Sequence, residues 1–341
     1  MGSPIRSSDA KRGLAAGVAL LALTCSLTAR ATPPAGFTVC LVVGSGAGSS
    51  LDPAAEAGLV EAERTGVDGS VERATGAVGA EAALEACLGT GADLTIAVGA
   101  GTANAVDTVA TANRSRRFAV LDMSQALLAH RPANVTGVLF RTEESAYLAG
   151  YAAALWARER SRHGPVVVGS VGSLDVPPVE RYIAGFEFGA RRAVRGATVV
   201  HGFSQTEVDP RACRRVAAGE LTDGAKVVLA AAGACGAGVA EAAAGGRALT
   251  VATNVPAPVR AASTVLTSVS EHAGVAVLRV VDAARHGTLT GGGDIWLGVG
   301  DGGVGYGPWS PRVPVSIRRA VARQLRLLQA GRGPSIPSVL G

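Results

Sequence analysis

The sequence predicts an α/β fold of two lobes, each a parallel sheet flanked by helices, with a hinged ligand cleft between them. Three observations predict it. Four apolar runs break into glycine: Val39 to Val43 into Gly44 and Gly46, Leu94 to Val98 into Gly99 and Gly101, Val166 to Val168 into Gly169 and Gly172, and Val227 to Ala232 into Gly233 and Gly236. Each is followed by a helical pattern, and strand, glycine tip, helix is the order of a parallel sheet that binds something at its strand ends. The pattern also restarts after His163-Gly164-Pro165, and about 310 residues behind a leader are more than one core usually organises.

Residues 1–31 read as an export signal rather than as fold. Arg6, Lys11 and Arg12 form the positive region, Gly13 to Thr24 the apolar region, and Ala29-Arg30-Ala31 the cleavage site. The apolar stretch is too short to be a spanning helix, which needs about 20 residues. Cys25 offers a second processing route, a lipidated cysteine holding the chain on the outer face of the membrane. Ala22-Leu23-Thr24 fit a lipoprotein box poorly, so simple secretion with Cys25 in the apolar region is the competing reading.

Behind the leader, strand 38–43 leads to a helix from Pro53, a residue suited to a first helical turn, to Arg64. Strand 67–71, helix 79–88, strand 94–98, helix 102–112, strand 117–121, a short strand 135–140 and helix 143–160 complete one Rossmann-like lobe. The second begins with strand 166–170 and helix 178–194, then strand 197–202, helix 210–218, strand 226–232, helix 236–244 and strand 248–254. Strand 265–270 and helix 272–286 follow, then a glycine-dense stretch from Gly291 to Gly307 and a last helix, 315–330. The expected domains are a first lobe over 37–160, with about 265–290 returning to it, and a second over 164–264, with about 295–335 contributing. Several crossovers between two lobes make a hinge.

Composition narrows the function classes. The formal charge is +5, but without residues 1–31 there remain 28 cationic and 26 acidic residues, a net charge near +2. Nothing in this balance supports nucleic-acid binding. Aromatic residues are only 4% of the chain, and the abundance of Ala, Gly and Val suits tight α/β packing. Outside the leader there are four cysteines: Cys40, Cys87, Cys213 and Cys235. In an oxidising compartment they allow three disulfide connectivities, of which Cys40 with Cys87 and Cys213 with Cys235 each stay inside one expected lobe. Buried free thiols are the other possibility.

Several segments carry a specific resemblance. Asn134-Val135, Phe140 and Glu144-Ser145-Ala146-Tyr147-Leu148-Ala149-Gly150-Tyr151 are similar to the NV…F…E-x-x-[YF]-L-A-G-Y signature of the basic membrane protein, or PnrA-like, family of solute-binding proteins. Val98-Gly99, Phe118 to Asp122, Asp175-Val176-Pro177 with Tyr182, Gly185, Phe186 and Gly189, Gly236-Ala237-Gly238-Val239, Val265 to Ser268 and Asp301 to Val304 match further family segments in family order, over about residues 37–335. The resemblance implies a type I periplasmic binding protein fold and a nucleoside receptor that serves an ABC permease. Such a site needs a stacking surface for the base, acceptors for ribose hydroxyls, and backbone N–H groups at strand tips.

The chain departs from the family where ligand would sit. At the first tip the family reads D-x-G-x-x-D-K-S-F-N; here Leu51 stands at the stacking Phe and Asp52 at the Asn. Tyr182 occupies the second aromatic position. Asn254 replaces the Asp that resembles the ribose ligand, and Glu271 replaces a Lys, reversing its sign. Cys235 stands where a Thr is common and Ala100 where an aromatic is. The candidate ligand-binding residues are therefore Leu51, Asp52, Asp122, Tyr182, Gly236, Asn254 and Glu271. Structural roles compete for most of them: a turn cap for Asp122, core or hinge packing for Tyr182, turn formation for Asn254, an N-cap for Asp52 and a solvated helix-start acid for Glu271. Glu144, Tyr147 and Phe186 read as structural, and Asp301 as fixing the Gly302-Gly303 turn. Losing one stack and one charged hydrogen bond would weaken ordinary purine nucleoside binding by roughly 2 to 5 kcal/mol.

No catalytic constellation is visible. Gly44-Ser45-Gly46-Ala47-Gly48 lacks the third glycine of a dinucleotide fingerprint, since position 49 is Ser. His130, His163, His201, His272 and His286 show no metal-ligand spacing, and there is no G-x-S-x-G elbow or S-x-x-K. The expectation is a non-enzymatic extracytoplasmic solute-binding protein of an ABC importer, without cofactor or metal, binding a small polar, nucleoside-like ligand, and touching the membrane only through an anchor at Cys25. A sensor or signalling protein of the same fold is the alternative.

Overall fold

The computed structural model describes residues 36–44, 51–161, 164–254 and 264–341. The export signal with Cys25, the glycines of the first tip beyond Gly44, and His163 lie outside the described residues. Within them the chain runs β1 (Phe37–Val43), α1 (Asp52–Glu63), β2 (Val67–Arg73), α2 (Gly76–Gly89), β3 (Leu94–Val98), α3 (Ala103–Ala112), β4 (Phe118–Leu121), β5 (Val135–Phe140) and α4 (Thr142–Arg160). It continues through β6 (Val167–Gly172), α5 (Pro177–Ala193), β7 (Thr198–Phe203), α6 (Pro210–Thr222), β8 (Val227–Ala231), α7 (Gly236–Gly245) and β9 (Leu249–Thr253). The last elements are β10 (Val265–Glu271), α8 (Ala273–Arg285), β11 (Gly293–Leu297), β12 (Val304–Tyr306) and α9 (Val315–Gln329).

Two six-stranded sheets result. The first has the order β11-β5-β4-β3-β1-β2 and is parallel throughout; the second has the order β12-β10-β9-β8-β6-β7, with only β12 antiparallel. Strands such as β3 and β8 are buried on both faces, which is why they read as unbroken apolar runs rather than as alternating ones. In each sheet the order reverses beside the first strand, β1 or β6, the place where open α/β sheets generally bind ligand. The glycine-dense stretch after α8 carries two edge strands, β11 and β12, that its composition hid.

The lobes do not divide where the sequence suggested. Helix α4 packs on the second sheet, against β10, β12 and β6, so the first crossing falls at Arg141 and not near residue 160. A single residue joins β5 to α4, and this short link made them read as one lobe. Strand β10 pairs with β9 and belongs to the second sheet, and only α8 returns to the first lobe, where it packs on α1. Strand β11 pairs with β5 in the first sheet, whereas β12 pairs with β10 in the second and α9 packs on α4.

The two family-like segments around residues 144–151 and 182–189 are the facing sides of one helix pair. A Cβ on Gly150 would collide with the Phe186 carbonyl, one on Gly185 with Glu143, and one on Gly189 with Tyr147. Only hydrogen side chains permit this separation of α4 and α5. Tyr147 and Phe186 are fully buried there, as structural residues should be, and the Tyr147 hydroxyl donates to Gln324 at 2.8 Å. One apolar cluster runs through both lobes, with separate clusters beneath α2 and α3 and beneath α6 and α7.

Three crossings, at Arg141, His272 and residues 298–303, are tied to one another. The Arg141 N–H donates to the Leu297 carbonyl at 2.9 Å, Val299 N–H to the Glu144 carboxylate at 2.7 Å, and His272 N–H to the Gly303 carbonyl at 2.8 Å. Asp301 accepts from the Gly298 N–H at 3.2 Å and so holds the turn between them. Burial pushes the Glu144 carboxyl above its ordinary range, with the Val299 hydrogen bond opposing the shift. Two disulfides, Cys40–Cys87 and Cys213–Cys235, have Cα separations of 5.5 and 5.7 Å and each lies within one lobe.

Candidate functional site

Three of the seven candidate residues, Tyr182, Asn254 and Glu271, are hydrogen-bonded to one another, and a fourth, Asp122, ends a strand of the other sheet. Asp122 and Asn254 directly follow β4 and β9, and both take left-handed backbone, with φ of 59° and 48°. Asp and Asn tolerate that conformation better than other non-glycine residues because their short polar side chains bond locally. Asn254 also uses its side chain to tie two strand ends together. Its Oδ1 accepts from the Glu271 N–H at 2.9 Å, and its Nδ2 donates to Glu271 Oε2 at 3.2 Å. Glu271 ends β10, the neighbour of β9, so the amide bridges the two strand tips and fixes the carboxylate.

Tyr182, on α5, completes the arrangement by donating its hydroxyl to Glu271 Oε1 at 2.8 Å. Asn254 Nδ2 also approaches the same phenolic oxygen, at 3.4 Å. Tyr182 and Glu271 are each only 9% exposed, which overturns the reading of Glu271 as a solvated helix-start acid. It belongs to the strand, not to the helix, and faces inward.

Asp122 follows β4, in the sheet of the other lobe. Its N–H donates to the Val138 carbonyl at 2.8 Å, which fixes the turn after β4. Its half-buried carboxyl accepts no hydrogen bond from the described residues. Burial, and then the negative charge of Glu271, push the Asp122 carboxyl well above the ordinary carboxylate range. Burial also raises Glu271, opposed by the hydrogen bonds from Tyr182 and Asn254. The Tyr182 phenol is pushed well up, first by burial and then by Glu271. No described Lys, Arg or His contributes to any of these shifts.

A cavity of about 520 Å³ adjoins this cluster. Asn254, Ser270 and Glu271 line it on one side, and Ala54 and Ala57 of α1 and Val275 of α8 on another. The floor exists because α1 and α8 approach closely: a Cβ on Gly58 would stand 2.6 Å from the Gly274 Cα. These helix residues were missed in the sequence. Gly58 and Gly274 were their only visible sign, and nothing in the sequence pairs two glycines so far apart.

The remaining candidates take other places. Leu51 precedes α1, is 5% exposed and packs in the apolar core, so it lies among core side chains rather than with the polar cluster. Asp52 opens α1, and its Oδ2 accepts the Gly44 N–H at 2.8 Å, closing the base of the first tip. A carboxylate in the first turn is also favoured by the helix dipole. Gly236 opens α7, where an added Cβ would meet only Ala230, at 3.5 Å; the backbone there does not demand glycine. Among the described residues no group of three or more His, Cys, Asp or Glu side chains could hold a metal ion. No described helix is long and apolar enough to cross a membrane.

Comparison with known proteins follows the same lines. Basic membrane protein B of Borrelia garinii subsp. bavariensis is 30% identical over 219 residues, 63% of this chain and 62% of that protein. An uncharacterised lipoprotein of Pyrococcus abyssi is 27% identical over 224 residues, 63% of this chain and 54% of that protein. The chain thus spans less than two thirds of the length of these relatives. Among solved structures, an ABC transporter system solute-binding protein from Aeropyrum pernix K1 has a TM-score of 0.63 at 26% identity, covering 89% of this chain and 82% of that one. A solute-binding protein from Conexibacter woesei has a TM-score of 0.68 at 22% identity, covering 89% and 99%, a likeness of fold. A family model described as ABC transporter substrate-binding protein PnrA-like matches residues 40–324. The chain belongs to the PnrA-like family of ABC transporter substrate-binding proteins.

Proposed function

We propose that this protein is the extracytoplasmic solute-binding component of an ABC importer, which closes its two lobes over a small polar, nucleoside-like ligand and presents it to a membrane permease. The observation that carries the reading is the hydrogen-bonded cluster of Tyr182, Asn254 and Glu271 in the second lobe, beside a cavity that Ala54 and Ala57 of α1 in the first lobe also line. Groups contributed by both lobes are what a closing clamp needs, because a ligand that bonds to both stabilises the closed state over the open one. The carboxyl oxygens of Asp122 and Glu271 would accept hydrogen bonds from ligand hydroxyl or amino groups, each such bond to a charged partner worth roughly 1.5 to 3 kcal/mol. The family background and the lipoprotein relative support delivery outside the cytoplasm, with secretion or a lipid at Cys25 as the two routes.

A thermal-shift screen of the protein with nucleosides, free bases, sugars and amines tests this reading. A ligand present at 100 times its Kd should add about 2.7 kcal/mol of stability. If no nucleoside raises the melting temperature at millimolar concentration, the nucleoside-like ligand is wrong.

A further inference from the structure

We infer that the outward face of α9 docks on an anionic phospholipid surface through the guanidinium groups of Arg319, Arg323 and Arg326. The inference rests on the reading of an extracytoplasmic protein that works beside a membrane, and it goes further by naming the surface that meets that membrane. Helix α9 has two opposite faces. Ile317, Ala320 and Val321 are buried, and Gln324 accepts from the Tyr147 hydroxyl of α4 at 2.8 Å, so this side is packed onto the second lobe. Arg319, Arg323 and Arg326 are exposed. At about 100° per residue they lie within about 60° of one another around the axis, opposite the buried residues, and span about 10 Å along it. Arg332, just beyond the helix, is exposed as well. Arg318 is different: it donates to the Val313 and Ser310 carbonyls at 2.9 and 3.1 Å and holds the turn that enters the helix.

Acids are missing from this end of the chain. Residues 302–341 hold six arginines and no Asp or Glu, although the chain behind the leader is nearly balanced at 28 cationic and 26 acidic residues. None of Arg319, Arg323, Arg326 and Arg332 is in an ion pair with a described residue. The segments outside the described residues cannot supply one to the exported chain, since their single acid is Asp9 of the leader. Like charges four residues apart, such as Arg319 and Arg323, repel and weaken a helix. No ion pair within the described protein offsets that repulsion, whereas an external anion does. The row is convex and solvent-facing, so its three cations can meet a flat array of charges at once. Each guanidinium presents a fork of N–H donors that fits phosphate oxygens, and anionic lipids display their phosphates in such a plane. Val315, 57% exposed at the start of the same face, adds an apolar contact at the headgroup layer.

The test is co-sedimentation of Pro33–Gly341, which forms one compact unit, with vesicles of phosphatidylcholine alone or mixed with phosphatidylglycerol. Binding is expected to the mixed vesicles only, and should disappear at ~1 M salt, where the screening length is about 3 Å. Arg319→Gln, Arg323→Gln and Arg326→Gln together should lower the partition coefficient on the order of a hundredfold, about fivefold for each charge removed. A second triple variant, Arg114→Gln, Arg215→Gln and Arg279→Gln, removes the same charge from exposed positions elsewhere and should leave binding nearly unchanged. Absence of binding to the mixed vesicles, or an equal loss in the two triple variants, overturns the inference. If vesicles are not bound but the α9 variant slows solute uptake through the permease, the row meets an acidic protein surface and the lipid contact is overturned too. Melting of each variant without vesicles confirms that it folds. Solute binding, read separately by thermal shift, distinguishes the two proposals: failure of lipid binding with solute binding intact leaves the proposed function standing.

Discussion

Glu220 makes the second lobe less stable as pH rises, and Glu220→Met should abolish that dependence. The residue lies on α6, only 5% exposed, with neither carboxyl oxygen in a hydrogen bond, pressed against Gly169 of β6. Burial, and secondarily the charge of Asp223, raise its pKa from 4.5 to about 9. The unfolded chain loses this proton near pH 4.5, whereas the folded chain keeps it until about pH 9. The stabilising contribution is thus complete below the unfolded pKa and is lost as pH rises through the interval to the folded one. The slope is about 1.4 kcal/mol per pH unit, so the interval from about pH 5 to pH 8 removes roughly 4 kcal/mol. Methionine fills a similar volume without a titrating group. Urea unfolding of both proteins at several pH values in this window should give a stability difference that grows in favour of the variant by roughly 4 kcal/mol. A difference that stays constant across the window would refute the buried, protonated carboxyl.

Other perturbations separate the site from its scaffold. Tyr182→Phe removes the hydroxyl from Glu271 and should weaken binding of the cognate solute by roughly 1.5 to 3 kcal/mol, read by calorimetry with melting as the folding control. Gly185→Ala places a methyl group on the Glu143 backbone and should lower stability by about 1 to 3 kcal/mol or more, seen as a reduced melting temperature. Breaking the Cys40–Cys87 bond by substituting both cysteines with Ala opens a link between residues 47 apart in sequence; the expected loss is roughly 4 kcal/mol in chemical unfolding.

The strand and helix order was legible because burial on both faces writes a local pattern, and residues that end strands, such as Asp122 and Asn254, stand out beside it. Tyr182 stood out by keeping the family's second aromatic position, and Asn254 and Glu271 by departing from the family pattern. Their mutual bonding was not legible, because it joins residues 89 apart in the case of Tyr182 and Glu271, and no local periodicity records such a pairing. Lobe membership failed for the same reason. Helix α4 is apolar over most of its surface, which marks it as enclosed without naming the sheet that encloses it. Leu51 looked like a weakened stacking residue from its place in the tip, yet an aliphatic side chain beside a helix start is drawn into the core it borders.

The interleaved crossings have a consequence for how the molecule comes into being. The first sheet lacks its edge strand until Leu297 has been made, and the second lacks its own until Tyr306. Helix α4, built early, has its place against strands that arrive long after it. Neither half can finish while the ribosome is still working on the other, so the native contacts are dominated by distant partners and form late and together. A chain with that schedule stays open for most of its synthesis, which is the condition in which a polypeptide can be threaded through a membrane before it folds.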